Sequence, residues 1–283
     1  MANSQIQADP IYSLPFLYIS GLNISVASTT MLAVAPGQAR DSSDNIDMPV
    51  GFPNLQGVVN PVVQNLNYQP PLLINGEVNG ANGLDSGSLI ATMDYAIYLI
   101  GDSHGYNNVA ALLSLTSNAY PLLPQGYDSY RLIGFAQTDA SAHFVASSTN
   151  PLNMSNARSY YLSAASSVLA GGNATSFTGI DLDTPVPTGT ERDVIVYLLV
   201  TFTPAAVGDV VQFRPTGEGT PQTAGLVTIT GQVAGIAQSQ YVTVIAGVNG
   251  SSHASIDYKV SSGSDSVNVG VVGYSYIPTS YVP

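Results

Sequence analysis

The chain has 283 residues, of which 45% are apolar and only 8% charged, with a formal net charge of −12 and no cysteine. Soluble domains ordinarily carry about a quarter charged residues, so this surface is either made of uncharged polar side chains or buried against other chains. The six basic residues are dispersed, no two within ten positions, which argues against nucleic acid and membrane partners, because both need clustered Lys and Arg. The lack of cysteine excludes thiol catalysis and a disulfide framework.

The chain begins with the polar segment Met1–Pro15, which we expect to be an arm or anchor that contacts other proteins. This segment has neither the basic region nor the apolar region of a signal peptide. Beyond it, period-2 alternation and short apolar runs predict strands at regular intervals. The predicted strands are Phe16–Ile19, Met31–Ala35, Tyr95–Ile100, Tyr130–Ala136, Val194–Phe202, Val210–Arg214, Leu226–Thr230, Tyr241–Ala246, Ala254–Val260 and Val267–Tyr276.

Glycine-rich turns separate these runs, and Asn249-Gly250 is the strongest hairpin signal among them. No segment shows a sustained helical stripe, and Ser155–Leu169 is interpreted as strand plus loop. The pattern therefore predicts an all-β fold of two β-sandwich or jelly-roll-like domains with antiparallel strands. We place the N-terminal domain at residues 16–172 and the C-terminal sandwich at residues 173–283, because the later strands are longer and more evenly spaced.

The segment from Arg40 to Asp47 has two interpretations. Asp41, Asp44 and Asp47 could supply oxygen ligands for calcium, although the spacing is not that of an EF-hand. Alternatively, Arg40 pairs with a neighbouring carboxylate and stabilises a turn, and we favour this structural role.

Arg131 and Asp139 flank an apolar strand, where an arginine is costly unless it is paired, so we expect Arg131 to be buried with a carboxylate or carbonyl partner. The two residues lack a nucleophile or base nearby in sequence, and a structural role is favoured over a catalytic one. The histidines, His104, His143 and His253, are scattered and are each interpreted as loop residues.

Asp181 and Asp183 alternate on a presumed strand and would face the same side. Such a pair resembles glycosidase carboxylates, but a solvated sheet edge is the favoured interpretation. We expect no catalytic residues, no cofactor and no metal ligands. The seventeen tyrosines suit strand cores and protein interfaces, and they leave a sugar-binding surface open as an alternative.

Three segments resemble a domain of tailed-bacteriophage virion proteins, the tail-fibre and minor structural proteins. They are Tyr18–Met48, with ISGL followed by ARDSSDNID; Asn79–Ser103, with GLDSG before a tyrosine-containing strand; and Leu122–Phe144, with LPQGY, RLIG and TDAS. The resemblance covers about the first 150 residues, and the motifs are specific jointly rather than singly. The chain departs from the family pattern because it lacks tryptophan around Tyr95–Ile100 and has no repetitive shaft.

This resemblance implies a non-enzymatic structural protein located in the virion, as an oligomeric fibre, collar or tail appendage. The low charge and high apolar content independently imply contact with other subunits, and we expect a homotrimer. Expected partners are other virion proteins: the capsid, the portal or adaptor, or the tail. The alternatives are a capsid decoration protein and a receptor-binding module for a host surface glycan.

Overall fold

The computed structural model describes residues 18–51, 71–104, 109–118, 120–145, 147–151, 158–187, 194–217, 226–249 and 254–276. Within these ranges the chain forms twenty β-strands and no helix, which confirms the predicted all-β fold. The described residues accordingly contain no helix with the length and hydropathy of a membrane span. The predicted arm, Met1–Pro15, lies outside the described residues.

The described residues divide into two compact units, the first extending to Val145 and the second beginning after it. The first unit contains ten strands: β1 (Ile19–Gly21), β2 (Ile24–Ser28), β3 (Met31–Val34), β4 (Gly37–Arg40), β5 (Asp47–Val50), β6 (Leu72–Asn75), β7 (Gly83–Leu84), β8 (Asp94–Gly101), β9 (Val109–Leu115) and β10 (Ser129–Gln137).

Three groups of strands build the first unit. β4 pairs with β1 and β5, β3 pairs with β2 and β6, and β8 pairs with β9 and β10, all antiparallel. The short β7 runs parallel to β9. Their inward-facing side chains form one apolar core, in which Leu32, Ile97, Leu99, Leu113 and Ile133 are at most 1% exposed. Burial of this core on folding is the main stabilising contribution to the unit.

The second unit contains β11 (Ser147–Pro151), β12 (Arg158–Gly172), β13 (Thr178–Asp181), β14 (Ile195–Thr203), β15 (Val210–Pro215), β16 (Val227–Thr230), β17 (Gln238–Ile245), β18 (Gly247–Val248), β19 (Ala254–Val260) and β20 (Ser266–Tyr276). One antiparallel sheet has the order β17-β14-β20-β12-β11. In the other, β19 lies between β13 and β15, β16 pairs with the far edge of β15, and β18 pairs with β19. Two antiparallel sheets of this kind form a β-sandwich.

Strand β14 shows how sequence alternation selects the two faces of its sheet. Val196, Leu198, Val200 and Phe202 are completely buried, whereas the three residues between them are partly exposed. Side chains point alternately to opposite faces of a strand, so a one-residue shift of register would expose all four core residues. The register of β14 is therefore strongly specified.

The longer predicted strands agree closely with the structure. Ala254–Val260 has the predicted bounds. Val194–Phe202 differs from β14 by one residue at each end, and Val267–Tyr276 differs from β20 by one residue at its start. The division of the chain differs from the boundary at residue 173, because β12 pairs along its length with β20 and so belongs to the second unit. The Asn249-Gly250 signal falls between β18 and β19, which pair antiparallel as a hairpin requires, although Gly250 lies outside the described residues.

Candidate functional site

Arg40 organises the turn between β4 and β5. Its Nε donates a hydrogen bond to Asp44 Oδ1 at 2.7 Å, and its Nη1 donates to Asp47 Oδ1 at 2.9 Å. Its Nη2 also donates to the backbone carbonyl of Asp44 at 2.6 Å. Burial opposes the guanidinium charge, but the hydrogen bonds and the two carboxylates outweigh this effect and raise the pKa of Arg40.

The side chain of Asp41 stabilises the same turn by accepting hydrogen bonds from its backbone. Its buried carboxylate accepts hydrogen bonds from the backbone N–H groups of Ser43, Asn45 and Ile46 at 3.0, 2.6 and 2.8 Å. A carboxylate that accepts several backbone hydrogen bonds satisfies donors that the turn would otherwise leave unpaired. The hypothetical calcium ligands therefore act as acceptors and ion-pair partners inside the turn, which is the structural role that the sequence favoured.

A cluster that the sequence did not reveal lies where β8 ends and β10 begins. Gly101 lies opposite Ser129 in the antiparallel register, and the backbone N–H of Asp128 donates to the carbonyl of Gly101 at 3.0 Å. This register brings Asp128 beside Asp102 and His104, which follow β8. The spacing Asp102-Ser103-His104 was the available local signal, but its partner lies about 25 residues farther along the chain.

Hydrogen bonds from Ser103 define the geometry of this cluster. The side-chain hydroxyl of Ser103 donates to Asp128, its backbone N–H donates to Asp128 Oδ1 at 2.8 Å, and together they lower the pKa of Asp128 to about 2. His104 Nδ1 lies 3.1 Å from Asp128 Oδ2 and 3.7 Å from Asp102 Oδ1. Asp102, His104 and Asp128 each offer one ligand atom, and these three atoms lie within 4.8 Å of one another, so these are the residues here that could hold a metal ion. The imidazole is 87% exposed.

Asp139 and His143 form a second polar loop, separate from Arg131. Asp139 Oδ1 accepts backbone hydrogen bonds from His143 and Ser141, which lower the pKa of Asp139. Arg131 lies toward the opposite end of β10, opposite Leu99, and is 1% exposed. The structure thus confirms the predicted burial of Arg131 but does not bring it together with Asp139.

Asp181 and Asp183 do not share a strand. β13 ends at Asp181, whose Oδ1 accepts the backbone N–H of Asp183 at 3.2 Å and whose Oδ2 accepts the Asn249 amide at 3.2 Å. Asp183 follows in a turn, so the predicted same-side alternation is wrong. Asp181 is exposed and ends the edge strand β13, which agrees with the favoured solvated edge. His253 lies outside the described residues, whereas His104 and His143 lie in loops as expected.

Several exposed or half-exposed apolar side chains of the second unit lie on the outward side of β12, β14 and β17. We define the β14–β17 face as Tyr161, Ile195, Tyr197, Leu199, Tyr241 and Ile245. In the antiparallel register, Ile195 lies opposite Ile245 and Leu199 lies opposite Tyr241. The exposed fractions of Tyr241, Ile245 and Tyr161 are 74%, 52% and 42%.

A tyrosine pair crosses this face. The rings of Tyr161 and Tyr197 are nearly parallel, with centroids 5.6 Å apart. The Tyr197 hydroxyl donates to Ser275 Oγ at 3.1 Å and lies 3.3 Å from Ser159 Oγ. One end of the pair is thus held by hydrogen bonds while its ring surface contributes to the exposed face, the amphipathic arrangement typical of tyrosine at interfaces.

No protein-family profile and no curated protein matches the chain. Among solved structures, the coat protein dimer of Tobacco streak virus is 15% identical over 47% of this chain and 94% of that chain, with a TM-score of 0.26. Another crystal form of that coat protein gives 14% identity over 47% and 92%, with a TM-score of 0.24. The infectious bursal disease virus structure (Gx strain) is 10% identical over 94% of this chain and 71% of that chain, also with a TM-score of 0.24. At such TM-scores these similarities carry no functional argument.

Proposed function

We propose that the protein is a non-enzymatic structural subunit of a virus particle that works as a homo-oligomer. One observation carries the proposal: a whole sheet of the second unit is almost free of charge. Strands β12, β14, β17 and β20 hold 15, 9, 8 and 11 residues, and their one charged residue is Arg158. In a monomer, the outward face of this nearly uncharged sheet would be exposed to water. Association with another subunit would bury that face.

Within that proposal, the protein belongs to a tailed bacteriophage and forms a fibre, collar or tail appendage anchored to the capsid, the portal or adaptor, or the tail. This part is supported by the three sequence segments that resemble phage virion proteins. The described elements built from them include β8 and β10, whose paired register holds the Asp102–Asp128 cluster. We further propose a homotrimer, since homo-oligomers mostly have closed symmetry and a closed ring of copies needs no additional partner.

A capsid decoration protein is the main alternative, and it would also work as a homo-oligomer. A receptor-binding role is favoured by the exposed rings of Tyr120 and Tyr241, which are 44% and 74% exposed, because aromatic faces pack against sugars. Binding of the purified protein to a glycan array, lost in Tyr120→Ala or Tyr241→Ala, would support that role. An absence of glycan binding together with stable oligomers would favour the structural role.

The oligomeric proposal is tested by light scattering coupled to size-exclusion chromatography at micromolar concentration. We expect a multiple of the 29.3 kDa chain mass, with three copies for the trimer. A monodisperse 29.3 kDa species over the whole accessible concentration range would contradict the proposal. Cryo-electron microscopy of intact particles then assigns the virion substructure, and density for this fold at the tail, collar or capsid surface decides between the alternatives.

A further inference from the structure

We propose that the β14–β17 face is the surface on which a second copy of this chain packs. The inference rests on the proposed oligomeric function and deepens it, because it names the strands and side chains that make the contact. The exposed tyrosines and isoleucines of this face then become the buried centre of an interface between copies.

The face is contiguous, as an interface centre must be. Register pairs place Ile195 beside Ile245 and Leu199 beside Tyr241, so four apolar side chains form two cross-strand pairs on the same face of neighbouring strands. Between these two pairs, Tyr197 of β14 lies opposite Thr243 and carries the stack with Tyr161. Buried tyrosines at the centre of a patch are the usual carriers of binding energy in protein interfaces. Tyr241, exposed over 74% of its surface, is therefore the principal candidate.

The charge distribution favours a second copy over an unlike partner. Each chain carries a net charge of −12, so two copies repel one another unless they meet where acidic side chains are absent. β14, β17 and β20 contain no charged residue. A basic partner would be attracted instead to the acidic parts of the surface, such as the Asp102–Asp128 cluster. Contact through the β14–β17 face brings two copies together without opposing like charges in the interface.

The plane of the sheet supplies more than half of the area that a standard contact takes from each partner. Four strands spaced about 4.8 Å apart and about eight residues long cover roughly 500 Å² of plane, before the relief of the side chains adds to the accessible area. A standard interface takes about 800 Å² from each partner. Two such faces packed together would also reproduce the face-to-face packing of sheets in a sandwich.

A competing apolar surface lies on the loops at one end of the same unit. Val207, Val233 and Ile236 are 70%, 52% and 56% exposed, and their loops are joined by a hydrogen bond from the Gly208 N–H to the Gly231 carbonyl. This loop tip includes the carboxylate of Asp209, which a second copy would meet as a like charge. The comparison supplies a matched control, since Val207 and Tyr241 are almost equally exposed.

The first experiment compares Tyr241→Asp with Val207→Asp. Each substitution adds one negative charge at a site exposed by 74% or 70% in the single chain. We expect Tyr241→Asp to raise the dissociation constant of the oligomer by at least about 30-fold, as for a hot-spot residue. Val207→Asp should leave it within about threefold. Mass is measured by sedimentation velocity over a dilution series, and circular dichroism verifies that both variants are folded.

The second experiment uses the absence of cysteine from the chain. Single variants Tyr241→Cys and Val207→Cys are labelled with a maleimide at concentrations above and below the dissociation constant of the oligomer. We expect the thiol at position 241 to be protected at high concentration and freely labelled on dilution, whereas the thiol at position 207 is labelled equally in both conditions. This readout reports the burial of position 241 directly and adds no charge to the face.

The outcomes separate the two proposals. Oligomeric wild type, with dissociation by Val207→Asp and not by Tyr241→Asp, would overturn the assignment of the face and keep the oligomeric function. The assignment of the face would also be overturned if neither aspartate variant changed the dissociation constant and the thiol at position 241 were labelled freely in the oligomer. A wild type that is monomeric at every concentration would overturn both.

Discussion

Tyr161 and Tyr197 stack across an intervening strand, because the residue between them in register is Gly273. Gly273 of β20 lies opposite Tyr161 on one side and opposite Tyr197 on the other. With no side chain on Gly273, the two rings approach to a centroid distance of 5.6 Å over the backbone. Aromatic side chains commonly cover a glycine in a sheet in this manner and offset its low strand propensity.

We predict that Gly273→Ala destabilises the second unit by about 1–3 kcal/mol. A Cβ at this position would lie 2.3 Å from the Tyr160 carbonyl oxygen and 3.2 Å from Tyr161 Cδ1. The backbone contact cannot be relieved by a rotamer change, so the strands must move apart and the tyrosine stack must open. Urea unfolding monitored by tyrosine fluorescence measures the loss.

Gly263→Ala is the matched control for this substitution. Gly263 lies in the turn between β19 and β20, and a Cβ there would meet no atom within 4 Å. We expect a change within about 0.5 kcal/mol. Equal stability of the two alanine variants would show that β20 tolerates a side chain at position 273 and that the glycine does not determine the stack.

Arg131→Ala should destabilise the first unit by roughly 2–4 kcal/mol. Arg131 is 1% exposed and lies opposite Leu99 in the core, so truncation creates a cavity as well as removing a buried charge. Arg131→Met keeps the volume of the side chain, and we expect it to cost less than alanine. Thermal unfolding and assembly are the readouts. A variant with wild-type stability that no longer attaches to host cells would identify Arg131 as a recognition residue.

Arg40 and Asp44 should differ in their effects on the same turn. Arg40→Ala removes bonds to Asp44 and Asp47 from a side chain only 11% exposed, and we expect a loss of about 1–3 kcal/mol. Asp44→Ala removes a half-exposed partner and should cost about 0.2–1 kcal/mol. Chemical denaturation at low and high salt compares the two. If added calcium restored Arg40→Ala to wild-type stability, the calcium interpretation of this segment would replace the structural one.

We predict that the Asp102–Asp128 cluster makes the stability of the protein fall in acid. The pKa of Asp128 is about 2 in the folded protein, below its ordinary 3.8, because Ser103 donates to its ionised form. The ionised Asp128 carboxylate therefore contributes to the free energy of unfolding. This contribution is complete above about pH 4 and is lost as the pH falls through about 2. Ser103→Ala should raise the pKa of Asp128 toward 3.8 and flatten that part of the profile. NMR titration of the carboxyl carbon measures the shift, and identical titration curves in both proteins would disprove the role of Ser103.

Direct binding to nucleic acid is predicted to be absent. Six dispersed basic residues cannot neutralise a run of phosphates on a chain with a net charge of −12. Fluorescence anisotropy with labelled duplex DNA at low salt, where counterion release favours binding most, is the appropriate measurement. A submillimolar affinity under those conditions would contradict this prediction.

The local pattern of residues predicted most of the second unit. Ala254–Val260 was identified with its observed bounds, because alternation of apolar and polar residues is a property of a single strand. Short polar strands such as β4 and β11 escaped prediction, since their pairing rather than their composition makes them strands. The division between the units lies after Val145 and not at residue 173 for the same reason. The pairing of β12 with β20, and not its composition, assigns β12 to the second unit.

The sequence by itself determined the fold class, the low charge and the burial of Arg131, because all three follow from residue type and local spacing. Only the tertiary structure decided which distant residues meet. The register of β8 with β10 brings Asp128 to His104, and the register of β20 with its neighbours brings Tyr161 to Tyr197. Register depends on contacts between strands that lie far apart in the chain, so no local pattern specifies it.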